Sequence, residues 1–279
     1  MWSRPDVTID LAARRGHPTP ARSSFGWRPS ERLVFGVLGF AGVIILWETV
    51  SRLELVRQAV LSRPTAIVEV AITDATSGAI WPHIGISGTE YVLGFGVALA
   101  VGIPVGLAIG MFRRLNWLLD PWLSAIYATP TVAIVPLIII ILGIGLETKT
   151  FVVFLEAIFV VTVSTMAGVH AADAVYHDVA ESFRASGWTR FRTVIMPASV
   201  PYILTGARLG TGRALVGVVI AEFLASNQGI GFYISFNGAL LRSDRVYFGI
   251  ILLGVLGVVL GETVRALEKR FERWRPDIN

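Results

Sequence analysis

The chain has 279 residues, of which 54% are hydrophobic and 16% are charged, with a mean hydropathy of +0.66. A soluble domain usually carries about 25% charged residues. The apolar residues here also form long blocks, so the composition excludes an ordinary soluble domain and indicates an integral membrane protein. The chain has no cysteine, which excludes disulfides and cysteine-ligated metals. Its net charge of +4 is interpreted as a topology signal rather than as a surface for nucleic acid.

The chain begins with a polar segment that contains six arginines and four prolines in its first 32 residues. We predict a disordered cytosolic tail at residues 1–32, a transmembrane domain at residues 33–270 and a cytosolic tail at residues 271–279. A cleaved signal peptide is not expected, because the apolar run starts late and no small-residue cleavage site follows it.

Six segments are long and apolar enough to be membrane helices, since a hydrocarbon core of about 30 Å needs about 20 helical residues. The predicted spans are residues 33–50, 84–112, 118–142, 149–171, 199–225 and 246–267. With the first residue inside, two thirds of the Lys and Arg side chains fall in cytosolic segments. This bias predicts that both termini and the loop at residues 173–197 are cytosolic.

The first outer loop, residues 51–82, has apolar residues at helical spacing after Pro64. This pattern predicts either a helix on the outer membrane surface or a packed external loop.

Three glycines recur at every fourth residue of the second span: Gly102, Gly106 and Gly110. Small residues on one face let two helix backbones approach closely in lipid. The pattern is consistent with packing inside the chain and also with a homodimer face.

The second span contains Pro104, and the third contains Pro121, Pro130 and Pro136. Proline frees a backbone carbonyl that needs another partner in the bilayer, so we expect kinked or broken helices near a cavity. Thr129 and Thr131 flank Pro130, and their hydroxyls either line a solute pathway or bond to the preceding helical turn.

Charged residues in the fifth span are Arg208, Arg213 and Glu222. The arginines lie near the predicted cytosolic end, where their side chains can extend to the interface. Glu222 lies about 13 Å beyond Arg213 along a helix, too far for pairing. Glu222 therefore pairs elsewhere, caps the helix end or lines the pathway. His170 and His177 lie two helical turns apart, and we predict no metal site there.

A polar, arginine-bearing segment at residues 173–197, called the docking segment below, separates two apolar spans. Its pattern predicts two short helices with a turn between them, the second ending at Pro197. An amphipathic element at the edge of the membrane suits a groove on a soluble partner. The alternative is a loop that lies on the membrane surface.

The docking segment resembles the EAA loop of bacterial ABC importer permeases. The pattern of that loop begins Glu-Ala-Ala, has a Gly four residues after the last Ala, and ends in Ile-x-Leu-Pro or a close variant. Aligned on Pro197, the Glu-Ala-Ala falls on Asp178, Val179 and Ala180, and the Gly falls on Arg184. A second register takes Glu181 and Gly187, but it requires a three-residue deletion before Pro197. Three further segments, at residues 127–143, 197–210 and 221–231, are similar to those of one branch of this permease family. That branch handles nitrate, sulfonates, taurine, bicarbonate and related small solutes.

The resemblance implies an all-α membrane fold with six transmembrane helices of the type I ABC importer kind and a cytosolic coupling helix. It implies a bacterial inner-membrane subunit that pairs with a second copy, cytosolic ATPase subunits and an external solute-binding protein. The residues implied to dock the ATPase are Asp178, Val179, Ala180, Phe183, Arg184 and Gly187.

The chain has no phosphate loop. We therefore expect a transport subunit that is not itself an enzyme and binds no cofactor, with ATP and Mg on the partner ATPase. The resemblance implies a small anion or organic solute as the substrate. The alternative function is an ATP-independent secondary transporter or channel.

Overall fold

The computed structural model describes residues 29–182 and 186–272, without the side chains of residues 29, 30, 32, 173–182 and 270–272. Residues 1–28 of the predicted tail, residues 273–279, Phe183 and Arg184 lie outside the described residues.

The described residues form helices joined by turns and by one longer connection at residues 53–63. The elements are α1 Pro29–Arg52, α2 Pro64–Thr76, α3 Trp81–Met111, α4 Arg113–Ala128, α5 Thr131–Leu142, α6 Leu146–Ser182, α7 Gly187–Arg190, a π-helical turn Phe191–Ile195, α8 Met196–Ala225, α9 Ile230–Ala239 and α10 Ser243–Glu272.

Five of these helices are long and apolar enough to cross a membrane. They lie at Leu33–Arg52, Trp81–Met111, Leu146–Ala172, Gly187–Ala225 and Ser243–Lys269. The pair α4 and α5 meets the same criterion together, with a bend of 98° between the two helices. Counting the pair as one span gives six, which confirms the predicted all-α membrane fold.

The bend between α4 and α5 follows from Pro130. Proline pushes the preceding residue away from helical angles, and Thr129 is extended, with φ −81° and ψ 125°. Pro130 then precedes the first turn of α5. The break expected from the proline pattern is confirmed at Pro130, where it divides the predicted third span into two helices. Pro104, Pro121 and Pro136 instead lie inside α3, α4 and α5.

By its contacts the chain divides into two units, residues 1–46 and residues 47–279. In the first unit, α1 exposes apolar side chains around its circumference, including Phe35, Leu38, Phe40 and Ile45. A helix that is apolar on all sides and exposed is typical of a membrane span in contact with lipid.

The core of the second unit lies where α6 packs between α3 and α8. Its buried apolar side chains come from all three helices: Phe95 and Ala98 from α3, Val153, Ala157 and Val161 from α6, Ala214 and Val218 from α8. The three-helix core fixes the positions of the polar side chains described below.

The glycines of α3 face α6. A Cβ added at Gly106 would lie 2.6 Å from the carbonyl oxygen of Thr162, and one added at Gly110 would lie 2.6 Å from Cβ of Val169. At Gly102 the nearest atom, Cγ1 of Val161, would be 3.1 Å away. These contacts lie within the chain, and a role of the same glycines in a dimer stays a prediction.

The outer-loop pattern after Pro64 does form a helix, α2, which packs against α10. Its buried Asp74 accepts a hydrogen bond from the Tyr233 hydroxyl at 2.6 Å and pairs with Arg245 at 3.2 Å. Burial, together with the hydrogen bond to Asp74, raises the pKa of Tyr233 above its ordinary value. Asp74 thereby connects α2 to both α9 and α10.

The docking segment differs from the predicted pair of short helices. Residues 173–182 continue α6 without a break, and Ser186 then caps α7 by accepting a hydrogen bond from the Thr189 amide. The prediction that Pro197 ends a helix is wrong. The helix continues past Pro197, which lies two residues after the π-helical turn, near the start of α8.

We predict that Gly106→Ala destabilises the protein, because the added methyl group forces α3 away from the backbone of α6. Overpacking of this kind costs about 1–3 kcal/mol, and the midpoint of thermal unfolding in detergent measures it. The matched control is Gly96→Ala in the same helix, where an added Cβ meets nothing within 4 Å. Equal midpoints for the two variants would contradict the close contact.

Candidate functional site

Charged side chains from three helices meet at one end of the three-helix core. Lys149 in the first turn of α6 forms an ion pair with Glu90 of α3, and both side chains are buried. The buried Glu222 of α8 lies close enough for an electrostatic interaction with both, attractive with Lys149 and repulsive with Glu90. Lys149 also donates a hydrogen bond to Ser226 at 3.2 Å. We call Glu90, Lys149 and Glu222 the charged cluster.

Glu222 also holds the start of α9. One carboxylate oxygen accepts a hydrogen bond from the Ser87 hydroxyl at 2.5 Å, and the other accepts one from the Gly231 amide at 2.5 Å. The Ser87 oxygen accepts from the Ile230 amide at 2.9 Å. These bonds satisfy amides at the helix start that have no partner within the helix. These hydrogen bonds and the positive charge of Lys149 together stabilise Glu222, the second buried carboxylate of the charged cluster.

The turn before α9 depends on glycine. Gly229 has φ +116°, a conformation that other residues rarely adopt. A Cβ at Gly229 would also overlap the carboxylate of Glu222. The Gly229 amide donates to Nδ1 of His83 at 3.0 Å, and this bond adds a second contact between α3 and the turn.

A separate cavity of about 290 Å³ opens at the break between α4 and α5. The polar and proline side chains that line it are Tyr127, Thr129, Pro130, Thr131, Glu156 and Arg213. The Thr129 hydroxyl donates to the Ala125 carbonyl at 2.9 Å, as the alternative interpretation expected. Both predicted pathway threonines line this cavity, and their contact with a solute stays a prediction.

The two arginines of α8 have similar surroundings but different positions. Nη1 of Arg208 lies 3.9 Å from Glu268, and Nη1 of Arg213 lies 3.9 Å from Glu156. Their side chains are about half exposed, at 50% and 52%. Arg213 lines the cavity, and Arg208 is not among its lining residues.

The predicted site residues therefore occupy three places. Thr129 and Thr131 share the cavity, whereas Glu222 belongs to the charged cluster and is not among the cavity-lining residues. A role of Glu222 in the pathway stays a prediction. Gly187 begins α7 at the opposite end of α8, and the side chains of Asp178, Val179 and Ala180 lie outside the described residues.

The sequence interpretation missed Lys149, Ser87 and the cavity position of Arg213. Lys149 was placed at the start of the fourth predicted span without a partner, although a lysine at that position can pair with an acidic residue such as Glu90 in another span. Among the described residues, no group of three or more His, Asp or Glu side chains is arranged to hold a metal.

We predict that Lys149→Met strongly destabilises the protein, because it leaves buried carboxylates without their cation. Breaking a buried pair from one side costs about 3–5 kcal/mol. Adding Glu90→Gln should recover a large part of the loss, because the second change removes the orphaned charge. Thermal unfolding of the two single variants and the double variant measures the coupling, and strictly additive effects would contradict the ion pair.

Known structures share this helical arrangement. A structure described as inward-facing conformations of the MetNI methionine ABC transporter matches with a TM-score of 0.56 at 15% identity. The match covers 69% of this chain and 94% of that one. An amino acid ABC transporter crystallised with histidines matches with a TM-score of 0.54 at 18% identity, covering 73% and 97%. The fold is that of type I ABC importer permeases.

Sequence relatives extend over most of the chain. A putative aliphatic sulfonates transport permease, SsuC of Bacillus subtilis (strain 168), is 32% identical, covering 92% of this chain and 91% of that protein. The taurine transport system permease TauC of Escherichia coli (strain K12) is 30% identical, covering 92% and 95%. The nitrate import permease NrtB of Synechocystis is 31% identical, covering 64% and 66%.

The family profile agrees with these relatives. The profile described as the inner membrane component of binding-protein-dependent transport systems matches residues 102–273, which include α4, α5, the docking segment and α8. The chain belongs to this family of binding-protein-dependent inner-membrane permeases of ABC importers.

Proposed function

We propose that this chain forms the solute pathway of an ATP-driven importer, as a homodimer coupled to two cytosolic ATPase subunits through the docking segment. An external solute-binding protein delivers a small solute that carries an oxyanion group, such as a sulfonate or nitrate. Both termini and the docking segment face the cytosol in this arrangement.

The observation that carries the proposal is the continuity of the docking segment with two membrane helices. Helix α6 continues to Ser182, through the first ten residues of the docking segment, which is about 15 Å of helix. After α7, the π-helical turn leads directly into α8. A partner that binds α7 would therefore act on both α6 and α8.

The surface of α7 supports contact with a soluble partner. Trp188 is 68% exposed and packs its ring against Phe191 at 5.5 Å between centroids. Arg192 adds a positive charge on the following π-helical turn. An exposed aromatic residue with a neighbouring arginine is typical of the centre of a protein interface.

The identity of the relatives supports the solute class. SsuC, TauC and NrtB are named for aliphatic sulfonates, taurine and nitrate, all of which carry an oxyanion group. The chain matches the first two over almost the full length of both proteins. We therefore infer that this permease moves solutes of the same chemical class.

Reconstitution in liposomes tests the function. The chain is incorporated with and without the ATPase subunits of its own system, and uptake of radiolabelled taurine and of nitrate is measured with the binding protein outside. We expect uptake only when the ATPase and ATP are both present. Solute movement by the chain alone would instead favour the alternative function, an ATP-independent secondary transporter or channel.

A substitution in the docking segment tests the coupling. We predict that Ala180→Arg greatly reduces co-purification of the ATPase, because a long charged side chain replaces a small one on the surface expected to enter the ATPase groove. The matched control is Ala59→Arg, which adds the same side chain at an exposed position in the predicted outer loop. Equal ATPase recovery with both variants, each folded by size-exclusion chromatography, would count against the docking assignment.

A further inference from the structure

The cavity at the break between α4 and α5 has the size and chemistry of a small-molecule site. Its volume of about 290 Å³ is just below the range for ligand pockets, about 300–1,000 Å³. Three segments meet around it: the broken helix pair, α6 through Glu156 and α8 through Arg213. A cavity between helices of a membrane bundle is a position where solutes pass or bind.

Arg213 is the cationic side chain among the residues that line this cavity. Its closest contact to Glu156 is 3.9 Å, which is longer than a hydrogen bond, and its side chain is half exposed. A guanidinium has five N–H donors arranged to match an oxyanion. Donors of Arg213 therefore remain available to a ligand in the cavity.

The cost of placing a charge in a membrane span argues that Arg213 has a role. Ionisable residues within spans are expensive and usually mark substrate pathways. Glu156 is largely buried, at 10% exposure, and lies too far from Arg213 to form a tight pair. The geometry is that of a cation paired loosely with its carboxylate, without a hydrogen bond between them.

The other side chains of the cavity suit an anion as well. The hydroxyls of Tyr127 and Thr131 can donate hydrogen bonds. The first turn of α5 lines the cavity and adds the partial positive charge of a helix start. These groups support the site, but the arginine is the feature on which it depends.

We propose that Arg213 is the anion-contacting residue of the pathway, where it binds the sulfonate or nitrate oxygens of the solute in competition with Glu156. This inference rests on the proposed function for the direction and energy source of transport, but the anion site itself does not require either. Arg213 is a solute-contacting residue that the sequence interpretation had assigned to the membrane interface.

Arg208 is a matched control in the same helix. It has the same exposure, and its carboxylate partner lies at the same distance, but it lies five residues away, about 140° around the helix, and is not among the cavity-lining residues. Arg208→Gln and Arg213→Gln remove the same charge from the same helix. Only the second should affect the solute.

The first experiment measures solute moved per ATP hydrolysed in the reconstituted complex, with taurine and nitrate as probes. We expect Arg213→Gln to lower this ratio about tenfold or more, which corresponds to about 1.4 kcal/mol. Arg213→Lys should lower it less, because lysine keeps the positive charge but not the planar guanidinium. Arg208→Gln should stay within about twofold of the unchanged protein. Equal ratios for Arg213→Gln and Arg208→Gln would overturn the proposal while leaving the proposed function intact.

The second experiment needs neither ATP nor the ATPase. Saturation-transfer NMR with methanesulfonate on the purified full chain should show binding for the unchanged protein and for Arg208→Gln, and none for Arg213→Gln. If ATP-dependent uptake fails but this pattern appears, the proposed function is wrong and the anion site stands. No methanesulfonate signal in the unchanged protein, or an equal signal in both variants, would overturn the anion site.

Discussion

The buried ion pair between Glu90 and Lys149 is the contact on which the rest of the helix bundle depends. A single charge buried in a membrane span is costly, and its loss on one side leaves the other unpaired. The pair therefore fixes the axial register of α3 against α6. Glu222 extends the same constraint to α8 and, through its bonds to Ser87 and Gly231, to the start of α9.

With the register fixed at one end, the other functional regions follow in order along the helices. Glu156 lies seven residues after Lys149, and Arg213 lies nine residues before Glu222, so both reach a depth about 10–13 Å from the charged cluster. The cavity is found at this depth. The docking segment, at the end of α6 and the start of α8, lies beyond it at the opposite end of the bundle.

The sequence predicted the features that depend on local pattern. The apolar length of each segment predicted the spans, and the prolines predicted a break such as the one between α4 and α5, because both effects depend on residues that are neighbours in the chain. Pro197 was placed wrongly, since proline often ends a helix but is also tolerated inside membrane helices, where the freed backbone carbonyl finds another partner. Its local sequence does not distinguish these two positions.

The charged partners could not be assigned from the sequence, because they depend on which helices are neighbours. Glu90 and Lys149 are 59 residues apart, and several acidic residues in other spans were equally available partners for the lysine. Arg213 presented a similar problem. Its depth in the membrane follows from its position in the span, but the side of α8 that faces the α4–α5 break follows only from packing.

The structure also joins the docking segment to Arg213 by one continuous helix. From Met196 to Arg213, α8 runs 17 residues, about 25 Å, and it begins directly after a π-helical turn. Turns of this kind occur frequently at functional sites. In the proposed importer, ATPase movement at α7 would tilt α8 about its far end, where Glu222 is held by the charged cluster. Such a tilt would change the gap between Arg213 and Glu156 more than it would move the charged cluster, because displacement grows with distance from the fixed end.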